Sequence, residues 1–362
     1  MLRFLHAADL HLDAPFSALS PEQAAQRRAE LRELPMKICE LANAHSCDLL
    51  LLAGDLFDTV GGYPETIEAL QRAFASSRAK IFISPGNHDF YSAAGPYART
   101  VWPENVHIFR SSAPEWVYLP ELDCAVYGAA FVSQNAESPL KNFHVQDEDA
   151  KNLMVLHADA MNPGSPYAPI TKEQIGETGL DYLALGHIHL RAEPATAGTT
   201  VYAWPGCPMG RGFDETGEKG VYLGELDENG CRLRFYPLPG RRYEILRVQA
   251  GDDALQSILS ALGSADTAEH CYRILLTGEA EPFDEKLLHA QLSERFFSLS
   301  IRDHTIPKAD LWAAAGEDTL KGILLQNLKQ QWHAAPTSEK KRYELAARYA
   351  LAALEGREVP QI

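Results

Sequence analysis

Asp48-Leu49-Leu50-Leu51-Leu52-Ala53-Gly54-Asp55-Leu56-Phe57-Asp58 passes from an unbroken apolar run to a turn carrying two acids. Four consecutive leucines leave no polar face, the pattern of a short strand covered on both sides in a parallel sheet. Upstream, residues 2–8 read as another strand, ending at Asp9. Ser20-Pro21-Glu22-Gln23 then opens a helix, with Ser as N-cap, Pro at the first position and Gln at the capping-box position. The helical pattern runs to about Ala44, with a break or kink expected at Pro35. Downstream, a helix over Pro64 to Ser77 precedes the strand Lys80-Ile81-Phe82-Ile83. This βαβαβ alternation predicts a layered α/β domain.

Farther along, the chain turns strand-rich, with expected strands at Val106–Phe109, Trp116–Leu119, Ala125–Ala130, Asn152–Leu156, Tyr182–Leu185, Thr200–Ala203, Gly220–Glu225 and Arg232–Tyr236. Thr171-Lys172-Glu173-Gln174 opens a short helix, and Asp227-Glu228-Asn229-Gly230 forms a hairpin turn. Leu238-Pro239-Gly240 marks a boundary, so residues 1–240 are expected to form one domain. Residues 241–308 alternate strand and helix as a small α/β domain, and residues 309–362 read as a helical segment. Its two helices have starts at Asp318-Thr319 and Thr337-Ser338-Glu339, with Gly356 just past the second. Leu320, Ile323, Leu324 and Leu328 follow helical spacing on the first, and Tyr343, Ala346, Ala350 and Leu354 share a face on the second.

The 362 residues are 46% hydrophobic, enough for a large core, and no run reaches the 18 or so apolar residues of a membrane span. The N-terminal residues run straight into polar positions rather than a secretory signal, so a cytoplasmic location is expected, with no membrane partner. Six scattered cysteines without a Cys-x-x-Cys spacing are expected to be free thiols. Net charge is −16, and residues 1–240 carry 18 Lys and Arg against 31 Asp and Glu. That balance argues against direct nucleic-acid binding unless bound cations or a basic partner reverse the local sign. Arg27-Arg28, Arg241-Arg242 and Lys340-Lys341-Arg342 read as solvated faces.

Five polar clusters each follow a predicted strand: Asp9-Leu10-His11, Gly54-Asp55-Leu56-Phe57-Asp58, Gly86-Asn87-His88-Asp89, His157, and Gly186-His187-Ile188-His189. Ligands of open α/β sheets bind beyond the carboxyl ends of the strands, so these clusters should meet at one edge. Asp and His are oxygen and nitrogen donors for divalent transition metals. In extended chain, residues i and i+2 face the same way, so Asp9 with His11 and His187 with His189 each offer two ligands together. The glycines are expected to let the backbone turn sharply beside them. Each cluster alone is a common turn; the five together, in order and each after a strand, are not. His6 reads as a core histidine or one that supports a ligand, and Tyr127, Tyr202 and Trp204 as core residues.

The ordered set resembles the calcineurin-like metallophosphoesterases, whose pattern is D-x-H, G-D-x-x-D, G-N-H-D/E, H and G-H-x-H. His6-Ala7-Ala8-Asp9-Leu10-His11-Leu12-Asp13 and the later Trp204-Pro205-Gly206-Cys207-Pro208-Met209-Gly210-Arg211-Gly212-Phe213-Asp214-Glu215 are similar to the SbcD-like and YhaO-type bacterial DNA exonuclease branch. The resemblance covers about residues 1–240. It implies an α/β sandwich of two mixed sheets flanked by helices, a small α/β cap and C-terminal helices. It also implies two divalent ions, Mn2+ in this branch, with Fe or Zn compatible with the donors. One ion would be held by Asp9, His11, His189 and a bridging Asp55, the other by Asp55, Asn87, His157 and His187. A water between two such ions is deprotonated near neutral pH and attacks phosphorus in line. His88 would act near the leaving oxygen, with Asp58 orienting it and keeping it cationic. Arg211 is open to two readings, a phosphate contact or a structural loop role. The implied activity is exonucleolytic cleavage of DNA phosphodiesters, with an SMC-like ATPase as partner and homodimerisation as in related nucleases. A phosphatase or phosphodiesterase of small nucleotides, or a regulatory partner of such an ATPase with weak catalysis, remains the alternative.

Overall fold

The computed structural model describes residues 1–307 and 311–354; the boundary expected at 308 and the Gly356 cap lie outside them. The described chain divides into two compact units. The first comprises Met1–Glu244 with Thr267–Tyr272 and Phe296–Ser298, and the second the intervening segments and residues from Leu299 on.

In the first unit, β1 (Leu2–Ala7), α1 (Pro21–Ala44), β2 (Leu49–Leu52), α2 (Pro64–Ser76), β3 (Lys80–Ile83), α3 (Pro96–Arg99) and β4 (Val106–Ile108) form the predicted alternation. β5 (Glu115–Leu119), β6 (Cys124–Gly128), β7 (Lys151–His157), α4 (Lys172–Gly176), β8 (Tyr182–Gly186), β9 (Ala195–Ala197), β10 (Thr200–Ala203), β11 (Gly220–Asp227) and β12 (Gly230–Pro237) complete it. They build two six-stranded sheets, ordered β12-β11-β1-β2-β3-β4 and β5-β6-β7-β8-β10-β9. β1 to β4 run parallel, as do β6, β7, β8 and β10, while β11, β12, β5 and β9 pair antiparallel.

The leucine run explains the layering. Leu49 and Leu51 pack with Phe4, Val126, Val155 and Tyr182 in the core between the sheets. Leu50 and Leu52 point the other way, onto Leu31, Leu34 and Ile38 of α1 and Leu70 and Phe74 of α2. Period-two alternation thus sends one strand into two cores, and each buried leucine contributes about 1.5–3 kcal/mol. A third core covers the far face of the second sheet, where Tyr127, Met154 and Leu183 meet Ile175 and Trp204.

Ser20 caps α1 as expected: its hydroxyl accepts from the Gln23 amide, and the Gln23 side chain accepts from Ser20 N–H at 3.1 Å. Pro35 does not break α1, which runs unbroken to Ala44 with Leu31, Pro35 and Ile38 buried against the sheet. The packed face outweighs the one backbone hydrogen bond a proline removes. Arg27 is not a solvated residue. It is buried, donating to Glu30 and, at 2.8 Å, to the carbonyl of Gly210 in the loop before Arg211. All six cysteines are free.

Residues 243–307, most of them in the second unit, hold β13 (Tyr243–Gly251), α5 (Ala254–Leu262), β14 (Cys271–Ala280), α6 (Glu285–Leu292), β15 (Ser298–Asp303) and β16 (Ile306–Pro307), a small sheet with two helices, β16 adding parallel to β14. α7 (Leu320–Ala334) and α8 (Thr337–Leu354) follow. They close on Leu325, Ala347, Leu328 and Leu351. Trp332 Nε1 donates to Glu344 at 2.9 Å. Leu320 and Ile323, one helical face away from Leu325, stay exposed. Among the described residues, no helix is long and apolar enough to cross a membrane.

Candidate metal centre

The motif loops leave the carboxyl ends of β1, β2 and β3 in one sheet and of β7 and β8 in the other. Backbone hydrogen bonds lock them together: Asp9 N–H to Gly54 O at 3.0 Å, His11 N–H to Asp55 O at 2.9 Å and Leu12 N–H to Leu56 O at 2.8 Å. His157 Nδ1 lies 3.0 Å from Ala53 O, linking the second sheet to the first. Asp9, His11, Asp55 and His187 all have positive φ, at 55°, 45°, 50° and 94°. Side-chain-bearing residues rarely adopt that region, and such strain collects at functional sites. Gly86 and Gly186 serve close approach rather than a sharp turn. A Cβ on Gly86 would lie 2.2 Å from Asp55 Oδ1, and one on Gly186 1.8 Å from Ala53 O.

Asp9, His11, Asp55 and His189 each aim a donor atom into one volume, all within 4.8 Å of one another. The Nε2 atoms of His11 and His189 are 3.2 Å apart, and His11 Nε2 is 3.6 Å from Asp55 Oδ2. The same Asp55 Oδ2 is 3.4 Å from His157 Nε2, which lies 2.9 Å from Asn87 Oδ1. His187 lies beside this pair, its ring 5.2 Å from that of His157. The backbone N–H of His187 donates to the Asp9 carboxylate at 3.0 Å. Asp55 therefore sits between two donor sets, with Asp9, His11 and His189 on one side and Asn87, His157 and His187 on the other.

Electrostatics make this cluster suited to a cation. Burial pushes His11 down to about 4, His157 to about 3 and His187 to about 4, leaving neutral imidazoles with a lone pair to offer. Burial pushes Asp9 up to about 7, opposed by the charge of His189 and reinforced by the neighbouring charge of Asp55. His189 is raised: burial opposes its charge, but the bond to Glu215 and the charge of Asp9 outweigh it. Oxygen and nitrogen donors converging on such a volume fit a divalent transition ion.

His88 lies at the rim, exposed, with its ring 4.9 Å from that of His11. Its backbone N–H donates to Asp55 Oδ1 at 3.0 Å. Its contact with Asp58 differs from the carboxylate pairing expected from the sequence. His88 Nδ1 lies 3.1 Å from the Asp58 backbone carbonyl, while the Asp58 carboxylate meets His11 Nδ1 at 3.1 Å and Arg211 Nη1 at 3.2 Å. Arg211 also donates to Glu215 through Nη2 at 2.6 Å. His6 is buried, Nδ1 2.7 Å from Tyr182 Oη.

Three supporting acids received no role from the sequence. Asp89 accepts from the amides of Gly86 and Leu56, both at 2.7 Å, and from Tyr97 Oη at 2.5 Å, bracing two motif loops. Asp159 Oδ2 lies 3.8 Å from His187 Nε2. Glu215 meets His189 Nδ1 at 2.8 Å. Asp89 and Glu215 lie inside the family-like motifs; Asp159, two residues past His157, carried no signal of its own.

A family model for calcineurin-like phosphoesterases matches residues 2–191. The metallophosphoesterase YhaO of Bacillus subtilis (strain 168) is 30% identical over 268 residues, covering 71% of this chain and 64% of that protein. The SbcD component of the SbcCD nuclease of Rhodobacter capsulatus is 36% identical over 93 residues, or 24% of this chain and 22% of its own length. The DNA double-strand break repair protein Mre11 of Methanopyrus kandleri is 23% identical over 254 residues, covering 63% of this chain and 55% of that one. The match spans less than two-thirds of each relative's length. On the family match and the site geometry, the chain belongs to the calcineurin-like phosphoesterases, a family of metal-dependent phosphoester hydrolases.

Proposed function

We propose that this calcineurin-like phosphoesterase binds two divalent ions, Mn2+ by preference, and acts in the cytoplasm as the nuclease component of a DNA exonuclease. The observation that supports the reading is Asp55, whose carboxylate converges with Asp9, His11 and His189 and also lies 3.4 Å from His157 Nε2. The similarity to the SbcCD nuclease component and to Mre11 supports DNA as the substrate. Bound at these donors, the two cations supply Lewis-acid polarisation of the phosphodiester and of the attacking water. The chain's own part is positional. Asp55 fixes the spacing of the two sets, and the His88 amide holds the Asp55 carboxylate at 3.0 Å. With its Nδ1–H given to the Asp58 carbonyl, His88 keeps Nε2 for the substrate, in place to act as general acid toward the leaving oxygen. A net charge of −16 favours a second reading, hydrolysis of small nucleotides that need no long basic track. An SMC-like ATPase partner would supply the positive surface this chain lacks, and homodimerisation would pair two active edges.

The deciding experiment measures hydrolysis of end-labelled linear duplex, closed circular duplex, single-stranded DNA and bis-p-nitrophenyl phosphate with Mn2+, Mg2+ and Zn2+ in turn. Release of nucleotides from linear but not circular DNA in Mn2+ is the expected result. Turnover of the small ester with no DNA cleavage, with or without an added ATPase, would replace this reading with the second.

A further inference from the structure

We propose that Glu215 is a positioning residue that sets the tautomer of His189, and thereby decides whether the set Asp9, His11, Asp55 and His189 can hold its cation. The inference rests on that set being a metal centre. His189 Nδ1 faces two opposed partners: Glu215 Oε1 at 2.8 Å and Arg211 Nη2 at 3.0 Å. A carboxylate only accepts and a guanidinium only donates, so the two demand opposite protonation of the same nitrogen. If Nδ1 carries the proton and gives it to Glu215, Nε2 offers its lone pair 3.2 Å from His11 Nε2, inside the donor cluster. If Nδ1 accepts from Arg211, the proton of neutral His189 moves to Nε2, and the ligand is lost. Glu215 holds the first arrangement because it also occupies Arg211, taking Nη2 at 2.6 Å and accepting from the Arg211 amide at 2.7 Å. Glu215 is buried, so its negative charge is not screened by water. His157 faces no such contest: its Nδ1 meets a backbone carbonyl, which only accepts.

Glu215→Ala thus leaves Arg211 as the partner of Nδ1 and favours the wrong tautomer. Removing Arg211 as well withdraws that donor and frees the ring. The experiment titrates Mn2+ into metal-stripped full-length protein by calorimetry, with metal content measured after gel filtration. Wild type, Glu215→Ala, Arg211→Ala and the double variant are compared. The expected result is two ions on wild type and on Arg211→Ala. Glu215→Ala keeps one ion and binds the other about 10–100-fold more weakly, the usual cost of losing a carboxylate behind a ligating histidine. The double variant recovers at least part of that loss. Should Glu215→Ala fail to fold, Glu215→Gln keeps an oxygen that accepts from Nδ1 and is expected to retain both ions. Undiminished binding by Glu215→Ala, a double variant as weak as the single, or loss of an ion from Glu215→Gln overturns the proposal. A wild type that binds no metal overturns the metal-centre reading beneath it, a result visible before any variant is made.

Discussion

Two regions of this protein break the ordinary division of polar surface and apolar core, in opposite directions. At the strand ends, Asp9, His11, Asp55 and His157 are 0–2% exposed. On α7, Leu320 and Ile323 are 72% and 56% exposed. Buried charge is costly unless paired, and exposed aliphatic surface gains nothing from water. The strand-end loops are also strained and locked by long-range backbone bonds, whereas α7 and α8 hold each other through a small internal core. The first violation is built into the fold and has a cation as its natural complement. The second costs the fold nothing, and the ATPase partner proposed above would be its complement. The two regions should therefore depend on what binds them in different ways, the first for stability and chemistry, the second for association alone.

Asp55→Asn should have the largest effect. It removes the negative charge that faces both donor sets while keeping size and shape. Metal content should fall and hydrolysis of bis-p-nitrophenyl phosphate should collapse by orders of magnitude. Full occupancy by two ions with near-normal turnover would remove Asp55 from the centre of the site. His88→Ala should separate chemistry from metal binding. The ring is at the rim and outside both donor sets, so both ions should stay, while turnover falls by roughly 10²-fold or more, as for loss of a general acid. A loss of metal content in His88→Ala would show the ring to be a ligand.

Metal removal is expected to act on stability through the strand ends. A ligand that binds only the folded state at 100 times its dissociation constant adds about 2.7 kcal/mol. For a unit of this size that is roughly 5–10 °C in melting temperature. A chelator should lower the melting temperature of the wild type by that order and leave Asp55→Asn almost unmoved. Equal shifts in both proteins would mean that the chelated ions sit elsewhere.

What the sequence made legible follows from range. Leu49 to Leu52 announce a doubly covered strand because the signal lies within four residues, and each metal-site cluster was visible because it follows an apolar run. The short strand β9 and the single-turn helix α3 have no room for a period and were missed. The supports were hidden for the opposite reason. Asp58 to His11 spans 47 residues and Glu215 to His189 spans 26, contacts that exist only once the loops are stacked. Arg27 read as surface because an Arg-Arg pair on a helix usually is. Its burial depends on the Gly210 carbonyl, 183 residues away. Helical spacing marked Leu320, Ile323 and Leu324 as a stripe, but it could not say that Leu325 would take the inner position against α8.

The smallest expected change in stability belongs to Leu320→Asp with Ile323→Asp. Both side chains are exposed, so no core contact is lost, and surface substitutions of this kind usually stay within about 0.5 kcal/mol. An aspartate at position 320, in the first turn of α7, also faces the positive end of the helix dipole, which offsets part of the lost helix propensity. Melting temperature and hydrolysis of bis-p-nitrophenyl phosphate should therefore match wild type. Co-purification with the proposed ATPase partner should be lost, because two carboxylates would have to be desolvated in an apolar contact. Leu325→Asp is the control on the inner face. It puts a charge among Ala347, Leu328 and Leu351, and should melt the α7–α8 pair while leaving the metal content of the first unit unchanged. If the double aspartate variant unfolds α7, its exposed face belongs to the core. If it folds and still binds the ATPase with wild-type affinity, that face is not the docking surface.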